Sequence, residues 1–226
     1  MASSAAEVPR RGRGRPARLS PEQIVTAAVD LLKREPDTAL TIGRVATAVD
    51  SAPMALYRYF PDRDALLQAM ADFVMADMRV GRPAGDTWQE QLRAWMHTLL
   101  AKLRHYSQLL PYMAATRRPV GVPGLATLAT ILRPARLSDE DLALALMLIG
   151  STTVGYAVYE SRRCTGDQVV TALRDALTSC PEREQDLLEG VLPQLPSAFA
   201  RLHEVVIDQT VTAIEALSPS GAPPGR

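Results

Sequence analysis

The chain has 226 residues, 47% of them apolar and 22% charged, a balance that suits a soluble globular protein with a real core. Twenty-five basic and 25 acidic residues give a formal net charge of zero, so any affinity for nucleic acid has to come from how charge is distributed. Cys164 and Cys180 are too few and too widely spaced for a disulfide framework or a zinc site, which points to a reduced cytoplasm, and no apolar run follows Met1 as a leader would require.

The charge is uneven. Arg10, Arg11, Arg13, Arg15 and Arg18 sit together with no acid between them, while acids dominate around residues 182–189. Residues 1–19 are rich in Ala, Ser, Gly and Pro and lack apolar periodicity, so they are expected to be a disordered arm when no DNA is present. Within the arm, residues 12–16 read Gly-Arg-Gly-Arg-Pro and are similar to the core of an AT-hook. Glycine admits close approach, proline keeps the chain extended, and Arg13 and Arg15 are drawn to the negative potential of a narrow minor groove. A solubilising basic tail that touches phosphates indiscriminately fits the same residues.

Ser20 followed by Pro21 is a helix start, and Ile24, Ala27, Ala28, Leu31 and Leu32 follow at helical spacing until Pro36. Residues 41–60 then form a helix, a tight turn and a second helix. Val45, Ala46 and Val49 make one stripe; Leu56 and Phe60 lie four apart on the next, flanked by Tyr57 and Tyr59, with Arg58 free to face a polyanion. Ile24, Leu31, Ile42, Val45, Leu56 and Phe60 should be the core of a three-helix head. In a helix-turn-helix the second helix enters the major groove, so Ala52, Pro53, Met54 and Ala55 should meet base edges. None can form a bidentate hydrogen bond to a base, and what they offer is apolar contact with thymine methyls.

Leu40, Thr41, Val45 and Ala46, followed by Leu56, Tyr57, Tyr59, Phe60, Arg63 and Leu66, carry a resemblance over roughly residues 20–70 to the TetR (tetracycline-repressor) family of bacterial transcription regulators. The resemblance implies an all-α fold: a helix-turn-helix DNA-binding head at 20–64 and a larger helical ligand-binding and dimerisation domain at 65–217, with a disordered tail at 218–226. Thr41, Arg44, Tyr57, Tyr59 and Arg63 are expected to hold phosphates, and Ala52, Pro53 and Met54 to contact bases. The chain departs from the family at the turn, where Asp50 replaces a usual Gly, and at Ala52, which cannot cap, so that Ser51 or Asp50 is expected to cap the second helix instead. Met54 and Ala55 replace a usual Gly or Pro followed by Thr.

Pro61 and Asp62 open a fourth helix through about Arg79, with Leu66, Leu67, Met70, Phe73, Val74 and Met78 inward. In the family this helix connects the head to the ligand-binding body. Asp86 resembles an N-cap for a helix through Trp88, Trp95 and Leu103, and two short helices follow at 108–116 and 123–132. Ser138 and Asp141 read as a capping box for a helix at 139–161. Its uncharged run at 142–159 is read as a buried bundle helix and not as a membrane span, because Gly150, Ser151, Thr152, Thr153 and Gly155 leave it only moderately apolar. The pattern breaks up between 164 and 196, leaving one or two short helices and a mobile connection, before a last helix at 197–217.

The helices at 139–161 and 197–217 are more apolar than one body can cover. In the family the corresponding pair meets its copy in a four-helix bundle, and Gly150, Ser151 and Gly155 would let backbones approach there; an internal crossing in a monomer would use the same small residues. The family layout also implies a cavity for a small hydrophobic or aromatic effector, lined by Phe73, Trp95, Met96, Leu99, Tyr106, Met113, Met147, Thr153 and Tyr156, each of which fits ordinary core packing equally well. His97 and His105 lie two helical turns apart, where one metal ion cannot readily reach both, and the sequence has no HExxH, CxxC, Gly-rich phosphate loop or Ser-His-acid grouping, so no metal, cofactor or catalytic group is expected. These features together describe a homodimeric, ligand-responsive repressor of double-stranded operator DNA. The rival readings are a ligand-binding protein with a degenerate head and a small enzyme on a helical scaffold.

Overall fold

A computed structural model describes residues 19–36, 38–114, 121–162 and 164–219, and among them there is no strand. The Arg13 and Arg15 expectation lies outside the described residues. The head begins with α1 (Pro21–Arg34), whose first turn is closed by a capping box: the Gln23 N–H donates to Ser20 Oγ at 3.2 Å and the Ser20 N–H to Gln23 Oε1 at 3.0 Å. Helices α2 (Ile42–Ala48) and α3 (Pro53–Leu56) follow. All six residues expected in the head core are buried.

The turn between α2 and α3 explains how the chain does without the usual glycine. Asp50 adopts φ 48°, the left-handed conformation. This lets the Ser51 N–H donate to the Ala46 carbonyl at 2.9 Å and the Asp50 N–H to the Thr47 carbonyl at 3.2 Å. The pair is a Schellman closure, which satisfies two of the carbonyls that α2 would otherwise leave open. The expectation that Ser51 or Asp50 caps α3 is not met, since no side chain caps it. Starting uncapped at Ala52, α3 holds only one α-turn, and residues 57–60 continue as hydrogen-bonded turns that return to Pro53 and Leu56.

Helix α4 (Arg63–Asp77) is capped by Asp62, whose carboxylate accepts the Ala65 N–H at 2.7 Å. It ends two residues before Arg79, because Met78 turns extended, and Phe73 is 42% exposed instead of inward. The cap of α5 (Trp88–Arg104) is Thr87, with Glu90 completing a capping box, and not Asp86. The two candidates stand in tandem, each with a glutamine or glutamate three residues on, but Gln89 bonds Glu215 while Glu90 returns to Thr87. The body continues through α6 (Leu110–Ala114), α7 (Val122–Leu132) and α8 (Asp139–Arg162). Beyond Cys164 the chain is largely helical, as α9 (Gly166–Leu177) and α10 (Glu182–Glu189), before α11 (Leu195–Leu217).

Head and body share one continuous core. It runs from Ile24 and Leu32 of α1 through Leu66, Leu67, Met70 and Val74 of α4 into Met96, Leu103, Ile149 and Ile214. Burial of the inner side of α4 is what makes it a rigid connection, because a helix packed on both units cannot tilt without disturbing both. Helix α5 is fastened to α8 by a two-pronged Arg104–Glu160 pair at 2.7 and 2.9 Å, and to α11 by Arg93–Asp208 at 2.8 Å.

Helix α8 buries one face, Ala145, Ile149, Thr153, Tyr156 and Ala157, against its own chain and leaves the other uncovered. It is long and apolar enough to cross a membrane by length and composition alone, and 28% of its most apolar window is buried within the chain. Leu144, Met147, Ser151, Gly155 and Tyr159 form an exposed stripe at helical spacing, with Val205 of α11 also exposed. A Cβ added at Gly150 or Gly155 would meet nothing within 4 Å, so these small residues serve no crossing inside the chain.

Candidate nucleic-acid interface and effector cavity

The outer face of the head is built by α3 and the caps beside it. Ala52, Pro53, Met54, Tyr57 and Arg58 are exposed together, and Met54 at 74% exposure is the most prominent apolar side chain there. A thioether presented to solvent at the start of a helix has no packing role in the head, and it fits contact with base edges. Thr41 caps α2, its Oγ1 accepting the Arg44 N–H at 3.3 Å, which leaves its hydroxyl hydrogen to donate outward.

Three residues expected to grip phosphate carry internal work. The Arg44 guanidinium donates to the carbonyls of Thr38 (3.3 Å) and Ala39 (2.8 Å) and forms a close ion pair with Glu35. It therefore staples the connection from α1 to α2. Tyr59 donates its hydroxyl to the Leu19 carbonyl at 2.6 Å, which fixes the point where the Arg-rich arm leaves the head. Arg63 Nε donates to the Leu40 carbonyl at 2.7 Å, while the residue itself remains exposed. Periodicity does not reveal these bonds, because each partner is a main-chain or acidic group several to dozens of residues away. Arg58, which the family motif does not fix, is an exposed cation in the turns that follow α3.

The body reaches the head through Gln108, in the turn between α5 and α6. Its amide accepts the Leu40 N–H at 3.1 Å and donates to the carbonyls of Pro36 and Thr38, both at 3.0 Å. A second tie joins α6 to the start of α4: Tyr112 donates its hydroxyl to Asp64 at 2.6 Å, a bond that pushes the tyrosine pKa up. No motif or spacing in the sequence marks either residue.

A cavity of about 370 Å³ lies where α1, α4 and α5 meet. Val29 and Lys33 of α1, Phe73 and Met78 at the end of α4, and Lys102 and Tyr106 near the end of α5 are among its lining. Of the nine residues expected around an effector, Phe73 and Tyr106 are here. Met96, Thr153 and Tyr156 meet instead at a crevice of only about 10 Å³ between α5, α8 and α11. Trp95, Leu99 and Met113 are buried in the body core, and the Trp95 indole N–H has no acceptor among the described residues. Met147 joins none of them, being 63% exposed on the outer stripe of α8.

Residues 24–70 match the family described as "Bacterial regulatory proteins, tetR family", and residues 81–211 match "Tetracyclin repressor-like, C-terminal domain". The chain belongs to the TetR family. Consistent with that, it is 31% identical over 198 residues to the HTH-type transcriptional repressor DrrR1 of Streptomyces coeruleorubidus, covering 83% of this chain and 72% of DrrR1. Among solved structures, a possible TetR family transcriptional regulator from Streptomyces coelicolor A3(2) superposes with a TM-score of 0.65 at 27% identity, over 88% of this chain and 100% of that one. The Streptomyces coelicolor TetR family protein ActR in complex with actinorhodin shares the fold, with a TM-score of 0.66 at 24% identity over 91% and 100% of the two chains. Membership of the TetR family gives the chain a helix-turn-helix regulatory unit over residues 24–70 and a repressor-like C-terminal domain over residues 81–211.

Proposed function

We propose that this TetR-family chain is a homodimeric cytoplasmic repressor that leaves its operator when a small hydrophobic or aromatic molecule enters the body. The observation that carries this reading is the Gln108 bridge beside the α1–α4–α5 cavity: the body holds the head by hydrogen bonds at one end of a space large enough for such a molecule. An effector wedged between Phe73 and Tyr106 would push α4 away from the end of α5 and reorient the head. The remaining expected lining residues do not border this space: Trp95, Leu99 and Met113 are buried in the body core, and Met96, Thr153 and Tyr156 line the separate crevice between α5, α8 and α11. The name of DrrR1, a repressor, and the small-molecule complex of ActR support the same class of mechanism. Family membership favours a regulator over an enzyme.

The exposed stripe of α8, Met147 included, supports pairing with a second copy, since an apolar face of that length is costly in water. Pairing also places two short recognition helices on one face of DNA, about 34–36 Å apart, and so offsets the weak readout from one. Thr41, Arg44, Tyr57, Tyr59 and Arg63 are assigned to the phosphate-facing side, Ala52, Pro53 and Met54 to bases, and Arg13 and Arg15 to the minor groove. The folded turn at Asp50 speaks against a degenerate head. Moving the dimer from almost wholly competent to almost wholly incompetent requires an effector preference of roughly 5.5 kcal/mol.

The experiment is selection of bound duplexes from random DNA, followed by anisotropy titrations with the selected site. The site is expected to contain two half-sites. Leu144→Arg with Met147→Arg should give monomers in sedimentation and lose tight binding. Met78→Trp, which fills the cavity without a ligand, should weaken operator binding at least tenfold while leaving the dimer intact. Monomeric wild type that binds without sequence preference, or a Met78→Trp variant with unchanged affinity, would overturn the dimer or the wedge respectively.

A further inference from the structure

Helices α5 and α11 run side by side, and α5 presents Gln89, Arg93 and His97 at successive four-residue steps, hence on one face. Each meets an acid of α11. Gln89 Nε2 donates to Glu215 at 2.8 Å, Arg93 Nε to Asp208 at 2.8 Å, and His97 Nε2 lies 3.2 Å from Glu204 Oε2. The third rung differs from the other two, because His203 Nε2 meets the other oxygen of the same carboxylate at 3.0 Å. Two imidazoles thus converge on one acid, their ring centroids 6.1 Å apart and edge to face. One ligand atom from each of the three residues lies within 4.8 Å of the others.

We propose that His97, His203 and Glu204 form a binding site for a divalent transition-metal ion of the zinc class. Two neutral imidazoles and one carboxylate are the donors that suit zinc and its neighbours, whereas magnesium and calcium take oxygen-rich sets. With metal–ligand distances of about 2.0–2.2 Å, neighbouring donors in a tetrahedral shell stand roughly 3.3 Å apart. Each imidazole already stands close to that spacing from one oxygen of Glu204, His97 from Oε2 and His203 from Oε1, and small rotations of the carboxylate and the rings bring one donor of each residue into a common shell. The three side chains are 40%, 29% and 55% exposed, so an ion can enter without unfolding and keep water in an open position. His105 caps the C-terminal end of α5, bonded to the Ala101 carbonyl at 2.9 Å, and does not compete.

A bound ion links α5 to α11 more firmly than a hydrogen bond does. His203 also borders the crevice formed by Met96, Thr153 and Tyr156, so the ion fixes one wall of the body interior. The linkage is visible only in three dimensions: in the sequence, His97 pairs by spacing with His105, and His203 stands alone.

The test is titration of the metal-free full-length chain with Zn²⁺ against a chromophoric chelator, with thermal unfolding in parallel. One saturable ion per chain is expected, with a Tm gain of about 5–10 °C at one hundred times Kd. H97Q, H203Q and E204Q should each lose roughly tenfold or more in affinity together with the Tm gain, while keeping wild-type helicity and metal-free Tm within a few degrees. H105Q and the double variant C164S/C180S should bind as wild type does. Unchanged affinity in any of the first three variants, loss in either control, or no saturable binding at about 10 µM free Zn²⁺ would overturn the site.

Discussion

Removing the Gln108 side chain, as in Gln108→Ala, takes away the three hydrogen bonds by which the body holds the α1–α2 connection. Their worth is unequal. The two bonds to the Pro36 and Thr38 carbonyls are exposed, where water substitutes well, so together they contribute only about 0.5–1 kcal/mol. The bond from the Leu40 N–H is different, because Leu40 is 1% exposed and its amide is left without an acceptor when the glutamine goes. Orphaning a buried donor costs about 1–3 kcal/mol, which brings the total to roughly 1.5–4 kcal/mol. For a chain of this length that corresponds to a Tm lowered by about 5–10 °C. Hydrogen exchange locates the effect: protection of the Leu40 amide should fall about thirtyfold if the local opening costs some 2 kcal/mol less, while amides in α8 and α11 keep theirs. A stability change below about 0.5 kcal/mol with Leu40 still protected would refute the bridge, because the lost bonds would then have been worth nothing.

Three further outcomes follow from the head and the α5 cap. Asp50→Gly should raise stability by up to about 1 kcal/mol and Asp50→Val should lower it by roughly 1–2 kcal/mol, since the left-handed backbone strains a side chain and strains a β-branched one most; urea unfolding of the two variants side by side decides it. Tyr59→Phe loses the bond to the Leu19 carbonyl, with an expected cost of about 1 kcal/mol and a weaker, less salt-dependent operator complex, because the start of the arm is no longer held; anisotropy titrations against salt read both. Glu90 has its pKa lowered from 4.5, first by the backbone N–H of Asp86 and then by that of Thr87. A lowered folded value means that its contribution is present above pH 4.5 and fades as the pH falls through the folded pKa, so Glu90→Gln should flatten the acid limb of a Tm-against-pH curve. An unchanged acid limb would show that the cap does not depend on charge.

The head is largely legible in the amino-acid sequence because its organisation is local. Ser20 with Gln23, Thr41 with the Arg44 N–H, and Asp62 with the Ala65 N–H each close a helix start within three residues, and Ile24, Val45, Leu56 and Phe60 mark the inner faces by spacing alone. The left-handed turn at Asp50 is readable for the same reason. Where two local signals compete the sequence is ambiguous, as with Asp86 and Thr87, and the geometry of the reciprocal Glu90 bonds settles the matter. The expected effector lining fares differently: Phe73 and Tyr106 border the cavity, Trp95 and Met113 belong to the core, and Met147 faces outward, because helical spacing says which residues share a face but not what that face meets.

What the amino-acid order determined by itself is therefore most of the helices, the caps at Ser20 and Asp62 and most of each inner stripe, all consequences of interactions spanning a turn or less. Tertiary structure alone decided which polar groups remain available. Arg44 and Tyr59 carry the chemistry of phosphate contacts, yet their donors are drawn to Glu35 and Leu19; Gln108 looks like any loop amide, yet it bonds a backbone N–H 68 residues away. The physical reason is that a hydrogen-bonding group takes whichever partner packing brings within about 3 Å, and packing is a property of the whole core.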